Sequence, residues 1–569
     1  MKAEIGDPKT PLPIGHSFFD RVIEDGYYYV DKTLLIKDIL DKGAIATLCT
    51  RPRRFGKTLN QTMLKSFFED TAELGGKDTR TLFNGLKIES AGVRYLEHQG
   101  KYPVIFLSFK EWKLSSFEIA CKQIITDIAD EFKRHAYLEK KISDPADLER
   151  FKKLSRREGS ITDYNFSLKF FSKCLEDYHG RKVIILIDEY DVPLENSWVR
   201  GFYQEMVDFI RPFLSSALKD NPHLKLAVIT GCLRISKESI FTGLNNLDVV
   251  SILSSHYDEY FGFTWDEMDA MLGYYGQECK TKIVRDWYDG YVFGKTEVYN
   301  PWSSIKVVSN WIDDMDRYPE PHWVNTSGND IVRTLIDRAD DEAKTELENL
   351  MAGGTISKAL NEDVTYDEIY KNADNLWNFM FFTGYLKKIG EGRLGENGGL
   401  TFDLSIPNVE LKYIYATKIR EWFNESVAGK NLDMFYNAIL GGNVEVFQAE
   451  LSKLLEESIS YMDSGENFYH GFMVGVLSKL KGYRVKSNRE SGHGRSDLVM
   501  YGVSVRGKAI IFELKQAEKF KEMPALCEAA LRQIEENDYA AYWDDEGYID
   551  IMKYGIAFYR KNCEIRLGE

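Results

Sequence analysis

Between Ala44 and Asn60 the chain reads A-I-A-T-L-C-T-R-P-R-R-F-G-K-T-L-N, and no other stretch restricts the fold as strongly. It opens as a short apolar run with one threonine in it, the pattern of a strand buried on both faces of a parallel sheet. The run breaks at Arg51-Pro52. Gly56-Lys57-Thr58 then precede Leu59, Met63, Leu64, Phe67 and Phe68, which have the spacing of an amphipathic helix. Strand, loop, Gly-Lys-Thr and helix is the layout of a phosphate-binding loop. Backbone N–H groups and the positive helix end cradle phosphate oxygens, Lys57 reaches the β- and γ-phosphates, and the Thr58 hydroxyl ligates Mg²⁺. The full pattern G-x-x-x-x-G-K-[ST] has glycine where this chain has Arg51. A basic helix start that binds nothing is the plainer alternative, so a partner strand is needed.

That strand follows at R-K-V-I-I-L-I-D-E-Y-D, residues 181–191, an aliphatic run ending in acids in the Walker B form. An acid at the carboxyl end of a central parallel strand lies where ligands collect in open α/β sheets. Asp188 is expected to hold the Mg²⁺ shell there, and Glu189 to polarise the attacking water. A further strand, Leu224 to Ile229, ends at Thr230-Gly231. In folds of this kind it lies between the other two, which brings Thr230, and Arg234 on the following turn, towards a γ-phosphate. Pro103 to Phe109 is another buried strand, and Leu34 to Leu40 a helix with Asp31 as its cap. Residues 1–254 are therefore expected to form a parallel P-loop sheet flanked by helices, binding ATP with Mg²⁺.

The last hundred residues carry a second chemistry. Phe468 to Leu480 has the spacing of an amphipathic helix, Arg484-Val485 opens a strand, and E-S-G-H-G-R-S-D-L-V-M follows from Glu490. After a turn, K-A-I-I-F-E-L-K forms a strand on which Glu513 and Lys515 share a face. Helix, strand, Asp497, hairpin and Glu513-x-Lys515 is the order of the PD-(D/E)XK nuclease core. Two carboxylates on adjoining strands hold a Mg²⁺ that polarises the scissile phosphate, and a lysine beside them orients the water. Catalysis is assigned to Asp497, Glu513 and Lys515, with Glu189 serving the nucleotide. Glu466 and His470 open the helix, where such folds often place another acid. Gln533 and Tyr539 lie on a later helix. Between Lys479 and Arg495 stand six lysines and arginines against one acid, Glu490, a local patch suited to phosphates.

A chain of 569 residues is too long for one ordinary domain. Its formal charge of −16 fits a soluble cytoplasmic protein and leaves local basic patches free to bind nucleic acid. Seven cysteines are scattered singly with no C-x-x-C pair, which points away from zinc or disulfides. The N-terminus lacks an apolar leader and no apolar run is long enough for a membrane span. The middle, residues 255–442, reads as a helical domain rich in Tyr, Trp and Phe, which at this spacing are core residues rather than stacking platforms. The third segment, 443–569, is the nuclease-like domain.

Three motifs resemble the bacterial AAA-ATPase-like family: R-P-R-R-F-G-K-T-L at 51–59, I-D-E-Y-D-V-P at 187–193 and I-S-K-E-S-I-F-T-G-L-N-N-L at 235–247. The likeness continues through W-Y-D-G-Y at 287–291, Y-N-P-W at 299–302, W-V-N-T-S at 323–327, F-T-G-Y-L at 382–386 and I-P-N at 406–408. Members of that family commonly carry a PD-(D/E)XK domain at the C-terminus. The resemblance makes Arg51 a family feature. It implies a nucleotide-contacting set of Arg53, Arg54, Phe55, Gly56, Lys57, Thr58, Leu59, Asp188 and Thr230, with Arg53 and Arg54 touching phosphate or an adjacent subunit. The metal set is Thr58 and Asp188 in one domain, Asp497 and Glu513 in the other. A homo-oligomeric ring is compatible with this likeness, although the sequence offers no arginine finger that demands one. The partner implied is nucleic acid, DNA before RNA, with ATP controlling access. The rival is a nucleotide-dependent switch or scaffold whose nuclease fold binds without cutting.

Overall fold

A computed structural model describes residues 10–234, 246–323, 332, 341–362, 373–395, 399–428, 431–456, 466–491 and 494–568. Its first sheet contains β1 (Ala46–Thr50), β2 (Val104–Ser108), β3 (Val183–Asp188), β4 (Leu224–Gly231) and β5 (Leu247–Val250). Their order is β2-β3-β4-β1-β5, all parallel. Every residue of β1 and β3 is buried, as an apolar run without alternation requires when helices cover both faces. The strand ending in Thr230 does lie between the phosphate-loop strand and the acid-tipped strand. Cys49 is paired with Thr230, and Ile187 with Ile229, so the three strand ends face the same side.

Helix α1 (Lys57–Phe68) leaves β1 behind Gly56, whose φ of +78° reverses the chain at the helix start. Buried Gln61 on α1 donates to the carbonyls of Ile187 and Val228, tying the helix to β3 and β4. Helix α2 (Val192–Arg200) follows β3. Asp31 does not cap its helix. Its Oδ1 accepts from the backbone and hydroxyl of Thr33, and Thr33, at the cap position, has its own hydroxyl taken by the Ile88 N–H.

The chain divides into two compact units, residues 1–325 with 357–411, and residues 326–356 with 412–569. Most of the middle segment therefore folds in one body with the phosphate loop. Helices dominate it, among them Trp265–Tyr275, Pro301–Asp313 and Ala373–Phe382. It also holds a hairpin of β6 (Tyr291–Phe293) and β7 (Thr296–Val298). A small sheet adds β8 (Ile356–Ala359), β9 (Lys387–Leu394) and β10 (Leu400–Ser405) in the order β8-β10-β9. The sequence reading missed β9 because K-K-I-G-E-G-R-L is exposed along most of its length and offers neither an apolar run nor clean alternation. Helix α3 (Val409–Ala428) has its first residues, through Leu411, in the first unit.

In the second unit α4 (Glu466–Leu477) precedes β11 (Tyr483–Ser491), β12 (Gly494–Gly502) and β13 (Ala509–Gln516). Helix α5 (Met523–Glu536) then crosses to β14 (Ile551–Tyr559), parallel to β13, and β15 (Asn562–Leu567) closes the edge. The two faces of β13 diverge by alternation. Ile510, Phe512 and Leu514 enter the core shared with α4, while Ala509 and Ile511 pack towards Ile534 of α5. Glu513 and Lys515 thus fall on the α5 side. Among the described residues no helix is long and apolar enough to cross a membrane.

Candidate nucleotide and nuclease sites

At the carboxyl ends of β1, β3 and β4 the Asp188 carboxylate has no exposed surface and is shared between two hydroxyls. Thr58 Oγ1 donates to its Oδ2 at 2.7 Å and Thr230 Oγ1 to its Oδ1 at 2.6 Å. Lys57, 4% exposed, donates from Nζ to the carbonyls of Arg51 (3.0 Å) and Pro52 (2.9 Å) and lies 3.6 Å from Cys232 Sγ. A lysine so placed satisfies its charge on the loop's own carbonyls. Glu189 follows Asp188 at φ +54°, a left-handed conformation that a non-glycine residue adopts only when its surroundings enforce it. Hydroxyl and carboxylate oxygens are the hard donors that Mg²⁺ takes, so Thr58 and Asp188 suit that ion.

Sequence reasoning assigned Asp191 nothing, although it sits inside a quoted motif. Its Oδ2 accepts from the N–H groups of Cys232 (2.8 Å) and Leu233 (3.0 Å), fixing the turn that follows Thr230. Burial pushes this carboxyl up to about 6. Arg234, on the same turn, lies 3.8 Å from Glu362, and residues 235–245, most of the third family motif, fall outside the described residues.

The three arginines of the loop have different partners. Arg51 is fully buried and donates to the carbonyls of Thr50, Val250, His256 and Tyr257, with its guanidinium over the rings of Phe261 and Phe293. Burial pushes it down to about 10, which leaves it charged at neutral pH. It replaces the usual glycine because it bolts the end of β1 to the chain after β5. Arg51→Gly restores the common loop pattern, yet it takes the donor away from the buried Thr50, Val250 and Tyr257 carbonyls and from the more open His256 carbonyl. It is expected to lower unfolding free energy by at least about 3 kcal/mol, read as a fall in the urea midpoint. Arg53 is held by both oxygens of Glu195 on α2, at 2.5 and 2.8 Å. Arg54 lies over Trp302 at 4.4 Å and donates to the His322 carbonyl. The sequence reading gave both to phosphate or an adjacent subunit; here their side chains rest on Glu195 and on Trp302 with the His322 carbonyl.

The middle-segment signatures, whose role the sequence alone did not disclose, cover this loop. Phe55 packs on Tyr291 and Phe293 with ring centroids 4.9 and 5.0 Å away. A Cβ on Gly384, at φ +89°, would stand 2.9 Å from Pro52 Cβ, so only glycine lets F-T-G-Y-L seat against the loop. Gly290 is pressed in the same way against the Pro407 carbonyl, and Asn408 Nδ2 donates to the Asp289 carbonyl at 2.8 Å, which joins W-Y-D-G-Y to I-P-N.

In the second unit the β12–β13 ladder ends where Leu498 pairs with Phe512, next to Asp497 and Glu513. Asp497 Oδ2 accepts from the Leu514 N–H at 2.9 Å, and His470 donates from Nε2 to the Asp497 carbonyl at 3.0 Å. Glu513 is 1% exposed. Burial, then the negative charge of Asp497, push its carboxyl up to about 7 against the pull of Lys515. Lys515 Nζ is held between Glu513 Oε1 (3.0 Å) and Gln533 Oε1 (2.8 Å), and Gln533 Nε2 donates to Tyr539 at 3.4 Å. Glu513 Oε2 is buried with no hydrogen-bond partner. An orphaned carboxylate oxygen beside a second carboxylate fits a cation. Among the described residues no three or more His, Cys, Asp or Glu gather into a metal group. Mg²⁺ is commonly held by one or two carboxylates, with water and substrate phosphate completing its shell. His470 therefore serves as a brace for Asp497. The side chains of Glu466, Arg489, Glu490 and Arg495 lie outside the described residues. Lys486, from the same basic stretch, lies over the rings of Tyr501 and Trp543.

Residues 13–241 match the family described as predicted AAA-ATPase, and residues 464–567 match the PD-(D/E)XK nuclease superfamily. The chain is also 26% identical over 573 residues, 98% of each chain, to the "Uncharacterized protein in vnfD 5'region" of Azotobacter chroococcum mcd 1. It thus carries an AAA-ATPase-like domain and a C-terminal PD-(D/E)XK domain, kinds that generally work with ATP, Mg²⁺ and nucleic acid.

Proposed function

We propose that the chain is an ATP-binding protein, an ATPase by reaction class, that controls a Mg²⁺-dependent nuclease domain acting on DNA in the cytoplasm. The observation that carries this reading is the Asp497, Glu513 and Lys515 set with its orphaned Glu513 oxygen, joined in one chain to Asp188 bridging Thr58 and Thr230. Segments 1–254, 255–442 and 443–569 supply the nucleotide site, its cover and the nuclease.

In the first site Lys57 exchanges the Arg51 and Pro52 carbonyls for phosphate oxygens, as a charge-assisted bond to an anion outweighs one to a neutral carbonyl. The N–H groups at Gly56 to Leu59 lie at the positive end of α1 and receive the same phosphates. Thr58 and Asp188 would hold Mg²⁺, Thr230 stands beside Asp188 towards the γ-phosphate, and Glu189 orients the water. In the second site Asp497 and Glu513 would hold Mg²⁺, which supplies Lewis acidity at the scissile phosphate and a more acidic water. Lys515, fixed by Gln533, aligns that water and offsets charge developing on the phosphate. Gln533→Ala removes the brace and is expected to slow cleavage about 10- to 100-fold with little change in stability, measured on the same substrate by initial rate.

The test is a panel of single-stranded, duplex and branched DNA and of RNA, with Mg²⁺ or Mn²⁺ and with chelator. Metal-dependent cleavage lost in Glu513→Gln supports the nuclease. Binding of nucleic acid with no cleavage under any condition, while ATP is still turned over, supports the switch or scaffold in its place.

A further inference from the structure

The Arg54 side chain leads away from the nucleotide loop to a buried carboxylate that none of the motifs includes. Glu410, in the first turn of α3, has no exposed surface. It accepts from Ser303 Oγ at 2.9 Å and from the N–H groups of His322 (2.7 Å) and Trp323 (2.9 Å). The Trp323 N–H and the His322 carbonyl belong to one peptide group. On its carbonyl side that peptide accepts from Arg54 Nη1 at 3.2 Å and from Trp302 Nε1 at 3.3 Å. Carboxyl group, peptide and guanidinium are thus linked in series, and each hydrogen bond polarises the next. The peptide and the carboxylate also sit just before the two places where the chain leaves the first unit, after residues 325 and 411. All of these groups lie within the first unit.

We propose that Glu410 is a positioning residue for the phosphate loop, acting through the His322–Trp323 peptide on Arg54, and that this relay carries loop occupancy to both chain exits. The proposal rests on the nucleotide reading above. Arg54 occupies the loop between Pro52 and Gly56 at φ +69° and is half-buried. A triphosphate in the loop places negative charge beside its guanidinium. The guanidinium turns to that charge, and the peptide loses the cation that opposed Glu410. Glu410 and Trp323 then relax together, at residues adjoining the segments that begin with residues 326 and 412.

Hydrogen exchange on the full chain, with and without saturating Mg²⁺ and a non-hydrolysable ATP analogue, tests this directly, with occupancy fixed by calorimetry. In the wild type, nucleotide is expected to slow exchange in the loop and to shift exchange at 322–323 and 412–419 by about threefold or more. Arg54→Ala binds the analogue more weakly; at a concentration that calorimetry shows to saturate it, the loop is still protected and the distant shift is lost. Glu410→Ala also keeps the loop effect and loses the distant one, whereas Glu410→Gln, which keeps an acceptor oxygen, retains both. Unchanged distant shifts in Arg54→Ala, or wild-type shifts confined to the loop, overturn the relay. Failure of the wild type to bind the analogue in calorimetry overturns the nucleotide site itself, and the relay with it.

Discussion

Asp497→Ala is expected to cut metal-dependent cleavage by about a thousandfold or more while ATP turnover continues. A metal ion contributes several kcal/mol of transition-state stabilisation, and about 4 kcal/mol corresponds to three powers of ten in rate. Alanine also strands the Leu514 N–H that Asp497 Oδ2 now receives, so part of any loss reflects a loosened β12–β13 junction. Asp497→Asn separates the two effects. Its amide oxygen still accepts from Leu514 but carries no charge for a metal. Equal loss of cleavage in both variants, with the urea midpoint preserved only in asparagine, identifies the charge as the cause. Substantial cleavage in Asp497→Asn would remove Asp497 from the metal site.

The Lys57→Ala effect is the counterpart in the first unit. ATP turnover is expected to fall by about 10²- to 10³-fold, the usual loss when one preorganised donor to a developing charge is removed. Binding weakens as well, because the phosphates lose their deepest cation. Stability falls little by comparison. The carbonyls of Arg51 and Pro52 lose a partner, but the β1 end remains anchored by the Arg51 guanidinium. Calorimetry with ATP and a phosphate-release assay read the two losses separately. Turnover unchanged in Lys57→Ala would place hydrolysis elsewhere.

The residues that gather in each candidate site stood out in the sequence where special residues terminate a buried strand. Val183 to Ile187 is an unbroken aliphatic run, and the acid that ends it stands at the carboxyl end of β3, buried between the Thr58 and Thr230 hydroxyls. Glu513 and Lys515 were legible through alternation alone. The roles of Arg51 and Arg54 were not. A buried charge leaves no periodic trace, and its partners, the carbonyls near residue 250 and 322 and the ring of Trp302, lie far away in sequence. The glycines at 290 and 384 were likewise quoted as signatures without reasons, because the reason is a neighbour over a hundred residues distant. Glu410 carried no signal beyond opening a helix. Long-range packing decided these positions, and a single sequence records it only as unexplained residues.

The most direct measurement is the initial rate of DNA cleavage in Mg²⁺ as ATP is titrated, in the wild type and in Lys57→Ala. The account predicts a rate that changes with ATP in the wild type along the same curve as ATP binding, and a rate indifferent to ATP in Lys57→Ala. A wild-type rate that ignores ATP, or an ATP response that survives in Lys57→Ala, would contradict it.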